Sequence, residues 1–337
     1  MAAMVKGSTL HDVAALAGVS PRRVSRVVNG ESGFSEATRL RVVAAIDKVG
    51  YRPNLLARAL ITRRTGIVGL VVPHMNDPYF AELAEGVQRA ARATGRTMLI
   101  ASHGEEVSTM NEVLETLCSL SVDGAIVFAP LGNRSSVIAQ AARGLATVLV
   151  DLETHAPNLG SVVSAIGQGA EMAVAHLVSK GRSRIGMLAS ANSEFSTLLP
   201  RREAGFVRGL HAAGIALTPD LIHRQLPTIE GGRIAMDALL RSRADIDGVF
   251  AYNDAMAIGA LQTLATEGRR IPDDVAIVGF DDIALCTALV TPLTTIRLDT
   301  ERIGFEAIAM LDRTASSPGT AQPSVTLEVA LVVRESA

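Results

Sequence analysis

The chain has 337 residues, 48% of them hydrophobic and 20% charged, with a formal net charge of -2, a length that predicts two or three cores rather than one. No apolar run reaches about 18 uncharged residues and residues 1–30 carry no secretory pattern, so the expectation is a cytoplasmic protein with no membrane partner. Two distant cysteines and seven histidines without close ligand spacing predict no metal and no cofactor. Residues 1–64 hold 11 Lys/Arg against 4 Asp/Glu, whereas 65–337 hold 21 against 30: a basic module of the kind that attracts phosphate, joined to an acidic body that nucleic acid repels.

In chain order, Leu10, Val13, Ala14 and Ala17 fall at i, i+3, i+4 and i+7, the stripe of one short helix. Gly18-Val19-Ser20 interrupts it. Ser20 is a good N-cap and Pro21 suits the first helical position, so a second helix is predicted over Pro21–Val28. A third begins after Ser35, turns Leu40, Val43 and Ala44 inward and stops at Gly50. Three short helices with a tight turn between the first two form a helix-turn-helix. In the second, Arg22 and Arg26 lie opposite Val24, Val27 and Val28 and so face away from the core. Arginine donates two parallel bonds to guanine in the major groove, while Arg23 and Ser25 on the flank reach phosphate.

Residues 54–60 are too few for a helix that stands alone in water, so a conditional helix is expected there. Beyond Arg64 strands alternate with amphipathic helices: 67–72, 97–101, 125–128, 147–150, 184–188, 248–251 and 275–278. Continuous apolar strands separated by helices predict an α/β fold of parallel, doubly wound sheets in two subdomains. Ligands of such sheets sit beyond the carboxyl ends of the strands. Tyr79, Phe80, Phe128, Asp151, Arg202, Asn253 and Asp281 are the candidates there.

The run Thr9 to Ser20, with Val24-Ser25-Arg26-Val27-Val28-Asn29-Gly30 and Gly50-Tyr51-Arg52-Pro53-Asn54, resembles the headpiece of the lactose-repressor (LacI/GalR) family. Ala57-Arg58-Ala59-Leu60 is similar to the family's hinge helix, and Pro78-Tyr79-Phe80, Tyr252-Asn253-Asp254, Gly279-Phe280-Asp281-Asp282 and Pro292 to Ile296 to its later loops. The resemblance implies a transcription repressor with a helix-turn-helix headpiece and a two-subdomain, periplasmic-binding-protein-like domain. It implies a homodimer on double-stranded DNA with a pseudo-palindromic operator, switched by a small-molecule effector. Pro21, Arg22 and Arg26 would face bases, Asn29, Thr9 and Tyr51 the backbone, and Leu60 the minor groove as a wedge. The expected domains are 1–52 for the headpiece, 53–64 for the hinge and 65–337 for effector binding and dimerisation. Within the last, 65–164 with 298–323 would form one subdomain and 165–297 with 324–337 the other.

The resemblance also gives effector contacts to Asp151, Arg202, Asn253 and Asp281, with the ligand expected between Asp151 and Asp281 on one side and Arg202 and Asn253 on the other. Three departures bear on its identity. Ala165-Ile166 replaces an Asp-Asn pair, Pro227 or Thr228 replaces a stacking aromatic, and Leu152 stands where purine-responsive relatives place an aromatic. A sugar or related polyol is therefore expected before a purine. The rivals are an enzyme, an exported solute-binding protein and an architectural DNA binder that ignores small molecules. Gly167-Gln168-Gly169 invites a nucleotide-enzyme reading, but Met172 breaks the dinucleotide fingerprint, and neither a phosphate loop nor a recognisable catalytic triad is present. No catalytic activity is expected.

Overall fold

The first helix starts where two side chains satisfy each other's backbone. Thr9 Oγ1 accepts from the Asp12 amide and the Asp12 carboxylate accepts from the Thr9 amide at 2.7 Å, a capping box that opens α1 (Leu10–Ala17). Gly18, at φ 62°, ends it in the left-handed region that glycine tolerates best. Ser20 Oγ accepts from the Arg23 amide at the start of α2 (Pro21–Val28), and Ser35 caps α3 (Glu36–Val49), which Gly50 closes. In this computed structural model residues 8–28, 32–51, 64–104, 107–128, 134–191 and 198–337 are described. Asn29, Leu60 and the conditional helix over 54–60 lie outside them.

Val13, Ala14, Ala17, Val24, Val42 and Ala45 make the headpiece core, with Val27, Val28, Ile46, Val49 and Tyr51 packed on its margin. The expected inward face of α3 is therefore corrected. Leu40 and Val43 are exposed, as is Ala44, and the helix turns Val42 and Ala45 inward instead. Apolar residues surround most of α3, so docking against α1, not its own periodicity, selects the buried stripe.

Backbone proximity divides the chain into Met1–Thr65 and Gly66–Ala337. The larger unit contains two six-stranded sheets. The first lobe carries β1 (Ile67–Val72), α4 (Pro78–Ala93), β2 (Thr97–Ser102), α5 (Val107–Ser119), β3 (Gly124–Val127), α6 (Arg134–Ala142), β4 (Thr147–Val150) and β5 (Leu159–Ser164). The second carries α7 (Ile166–Ser179), β6 (Ile185–Ser190), α8 (Leu198–Ala212), β7 (Ile222–Gln225), α9 (Ile229–Ser242), β8 (Gly248–Ala251), α10 (Asp254–Thr266), β9 (Ala276–Asp281) and β10 (Thr294–Arg297). The chain then returns through α11 (Thr300–Ser316) and β11 (Val325–Leu327) and ends on β12 (Ala330–Val332).

The strand orders are β11-β5-β4-β3-β1-β2 and β12-β10-β9-β8-β6-β7. All pairs are parallel except β12 against β10. The expected crossing into the second lobe at residue 324 is corrected by β11: Val325 pairs with Val162 and Leu327 with Ser164, so the chain stays in the first sheet through Leu327. The short strand satisfies the open edge of β5, which would otherwise leave backbone donors and acceptors unpaired. Three connections thus join the lobes, after β5, after β10 and after β11.

Glycine permits close packing at two places. A Cβ on Gly86 of α4 would lie 2.4 Å from the Thr300 carbonyl oxygen, and one on Gly304 of α11 2.4 Å from the Gly86 carbonyl carbon. A Cβ on Gly169 would meet Ile296 and Phe280 at 2.9 and 3.1 Å, so this glycine serves helix-to-sheet packing.

Candidate functional site

On the headpiece, α2 presents Arg22 and Arg23 to solvent, while Pro21 and Ser25 are half-buried. Arg26 departs from the expectation of a fully outward side chain. It is half-buried, and its guanidinium donates to the Ser32 carbonyl in the turn before α3, packed against Gly33. Thr9 is the α1 cap and Tyr51 packs on the headpiece core, so both already hold structural positions.

In the larger unit all seven candidate residues gather at the carboxyl ends of strands, as open parallel sheets dictate. The first lobe contributes Tyr79 and Phe80 from the start of α4, Phe128 after β3 and Asp151 after β4. Their three rings meet edge to face, with centroids 5.2, 5.3 and 6.2 Å apart. Asp77 caps α4 through the Tyr79 amide at 3.0 Å, and His103 holds the Phe128 carbonyl oxygen at 3.0 Å. Asp151 adopts φ 57°, and its Oδ1 accepts from the Ser164 amide at 2.7 Å.

The second lobe contributes Arg202, Asn253 and Asp281. Arg202 is 3% exposed, donates to Asp281 Oδ1 at 2.9 Å and to the Tyr252 carbonyl at 2.5 Å, and stacks 4.0 Å from the Phe280 ring centroid. Burial is the largest single influence on this guanidinium and opposes its charge, but Asp281, Tyr252, Tyr79 and Asp151 together outweigh it and hold its pKa above the usual value. Asn253 caps α10 through the Met256 amide and donates to the Pro227 carbonyl oxygen. The expected grouping of the acids on one side is corrected accordingly. Asp281 is bonded to Arg202 in the second lobe, and Asp151 faces them from the first.

The two halves act on one another electrostatically. Burial pushes the Tyr79 phenol well above its ordinary pKa, and the charges of Asp151 and Asp281 push it further. Burial likewise raises the Asp151 carboxyl, against the pull of the hydrogen bond from the Ser164 amide. Among the described residues, the Tyr79 hydroxyl, the Ser164 hydroxyl and Arg202 Nε are buried without a hydrogen-bond partner. Such atoms cost free energy unless something binds them.

Beside this cluster lies a cavity of ≈ 540 Å³ whose walls include His74, Asp77 and Pro78 of the first lobe and Pro227, Thr228 and Ile283 of the second. None of the seven candidates lines it. Burial raises the Asp77 carboxyl, which also feels Arg202, so the cavity borders the cluster. Sequence reasoning missed Ser164, Asp77 and the roles of Tyr252 and Asp254. The available signal was positional, since each stands at a strand end, a helix N-cap or a first helical turn. No cluster of three or more possible metal ligands occurs among the described residues, and no helix among them is long and apolar enough to cross a membrane.

Comparison with known proteins agrees with this geometry. Residues 9–54 match the model of bacterial regulatory proteins of the lacI family, and residues 174–337 match that of the periplasmic binding protein-like domain. The ribose operon repressor of Haemophilus influenzae is 31% identical, with 98% of each chain covered. The regulator DegA of Bacillus subtilis is 30% identical, with 98% of each covered. Among solved structures, a complex of the transcriptional regulator CelR with cellobiose is 31% identical with TM-score 0.73, covering 98% of this chain and 100% of that one. A lac repressor dimer bound to operator and the anti-inducer ONPF is 26% identical with TM-score 0.87, covering 98% and 99%.

Proposed function

Because the chain belongs to the lacI family of bacterial regulatory proteins, whose members are transcription regulators and not enzymes, we propose that it is a cytoplasmic repressor whose operator affinity is set by a small polyhydroxylated effector, a sugar or related polyol, held between its two lobes. The observation that carries this is the set of buried, unpartnered polar atoms in the cluster at the strand ends: the Tyr79 and Ser164 hydroxyls and Arg202 Nε. With the carboxylates of Asp151 and Asp281 nearby, they offer the alternating donors and acceptors that several hydroxyls satisfy at once. The relatives named above include a ribose operon repressor and a regulator complexed with cellobiose, which favours the same ligand class. Arg22 would read bases directly. Arg26 would have to exchange the Ser32 carbonyl for a base edge, and Arg23, Ser25, Thr9, Asn29 and Tyr51 would position the headpiece on the backbone.

Two copies would place two headpieces on a pseudo-palindromic site, with residues 54–60 ordering over the minor groove and Leu60 as the wedge. The effector shifts DNA affinity only by its differential affinity for the two forms, typically about 1–3 kcal/mol. The test is a thermal-shift screen of the full chain against ribose, cellobiose, other sugars and polyols, and hypoxanthine. A sugar at 100 times its Kd adds about 2.7 kcal/mol of stability, and Arg202→Ala should abolish the shift. A response to hypoxanthine alone, or an equal sugar response in Arg202→Ala, refutes the assignment.

A further inference from the structure

The segment from Asp281 to Cys286 begins with a backbone that needs holding. Asp281 stands at φ 114° and Asp282 at φ 60°, two successive non-glycine residues in a region that L side chains disfavour. Such strain persists only where neighbours over-determine it. Here three anchors come from the second lobe and one from the first. The Asp282 carboxylate is gripped by Arg297 and Arg334, each at 2.6 Å. One Asp254 oxygen accepts from the Ile283 amide at 3.0 Å and from Cys286 Sγ at 3.1 Å, and the other from Thr295 Oγ1 at 2.6 Å. Asp281 itself is fixed to Arg202.

The remaining anchor crosses the cleft. Glu82, half-buried on α4 of the first lobe, accepts through Oε1 from the Ala284 amide at 2.8 Å. This bond meets the segment three residues beyond Asp281, and on the same helix that delivers Tyr79 and Phe80. We propose that Glu82 is a positioning residue for the effector site: it clasps the strained Asp281–Cys286 segment across the cleft, so that the carboxylate facing the effector and the approach of the two lobes move together. The inference rests on the effector site proposed above, but the clasp itself is measurable without any ligand. A carboxylate acceptor for a main-chain donor is stronger than a neutral one. It also leaves no substitute when removed, because the other three anchors bind different groups of the segment.

The experiment is amide hydrogen exchange by mass spectrometry on the full chain as wild type, Glu82→Ala and Glu82→Gln, with Tm recorded for each. Alanine removes the acceptor, and glutamine keeps a carbonyl oxygen at the same reach. In Glu82→Ala, peptides spanning 282–287 should exchange about tenfold faster, consistent with loss of one charge-assisted bond. Peptides of α10 and the Tm should stay at wild-type values, and Glu82→Gln should recover most of the protection. Unchanged exchange in Glu82→Ala overturns the clasp, as does a fall in Tm with faster exchange throughout the second lobe. Titrations with ribose and cellobiose supply the functional arm. A sugar that binds the wild type should bind Glu82→Ala at least fivefold more weakly and Glu82→Gln nearly as well as wild type; equal binding by all three overturns the positioning role. If neither sugar binds the wild type, the sugar assignment fails while the exchange data still decide the clasp.

Discussion

Asp254 follows directly on Asn253, and burial pushes its carboxyl up to about 6, against the opposing pull of its bonds from Thr295 and the Ile283 amide. The folded pKa thus stands above the unfolded value near 3.8. Between these values the folded state holds the extra proton, so the contribution of Asp254 to stability is complete below about pH 4 and is lost as pH rises through 6. The gap corresponds to on the order of 3 kcal/mol. Urea denaturation of wild type and Asp254→Asn at pH 4, 5, 6 and 7 should show the wild type losing more stability across this window; parallel profiles would mean that Asp254 does not titrate there. The Thr295 bond, the Cys286 thiol and the close approach of Gly279, whose Cβ would sit 2.2 Å from Asp254 Oδ1, were all beyond sequence reasoning. They join residues remote in the chain, whereas Asp151 and Asp281 were legible because strand ends are where parallel sheets put their ligands.

At the scale of elements, the crossing of α4 and α11 depends on two glycines placed face to face. Gly86→Ala should destabilise the larger unit by about 1–3 kcal/mol or more, because its Cβ would strike main-chain atoms, which cannot rotate aside as a side chain does. Chemical denaturation checks it, and a loss below about 0.5 kcal/mol would mean that the helices slide apart freely. Nothing in the sequence around Gly86 identifies this role, since the partner helix lies more than two hundred residues downstream. The headpiece helices were readable from caps and turn residues: Ser20, Ser35, Gly18 and Gly50 fix their ends locally. The buried face of α3 was not, because Leu40, Val42, Val43, Ala44, Ala45 and Ile46 wrap the helix and tertiary contact decides among them. The strands that escaped, β5, β7, β10, β11 and β12, have three to six residues each, and most lack the apolar run that marks a buried parallel strand.

For the whole molecule the division of charge and the division of structure fall at nearly the same place. A fragment of residues 66–337 keeps both sheets and carries the acidic excess without the basic module. It should unfold cooperatively, respond to sugars as the full chain does and leave the anisotropy of labelled DNA unchanged. The full chain should bind DNA with an affinity that falls steeply with salt. DNA binding by the fragment at moderate salt would place the nucleic-acid surface elsewhere. The interleaving of the two lobes bears on how the protein is made. Neither lobe is one continuous stretch: the first sheet lacks its edge until Val325–Leu327 arrives, and the second awaits Ala330–Val332. The headpiece, in contrast, is complete by Tyr51. At translation rates of about 5–20 residues per second, a finished helix-turn-helix precedes Leu327 by roughly 14 to 55 s. A ribosome working along this message therefore displays the helix-turn-helix well before the two-sheet unit is complete. On the function proposed above, a chain cut short between Thr65 and Leu327 would carry the reader alone, outside the control of the effector.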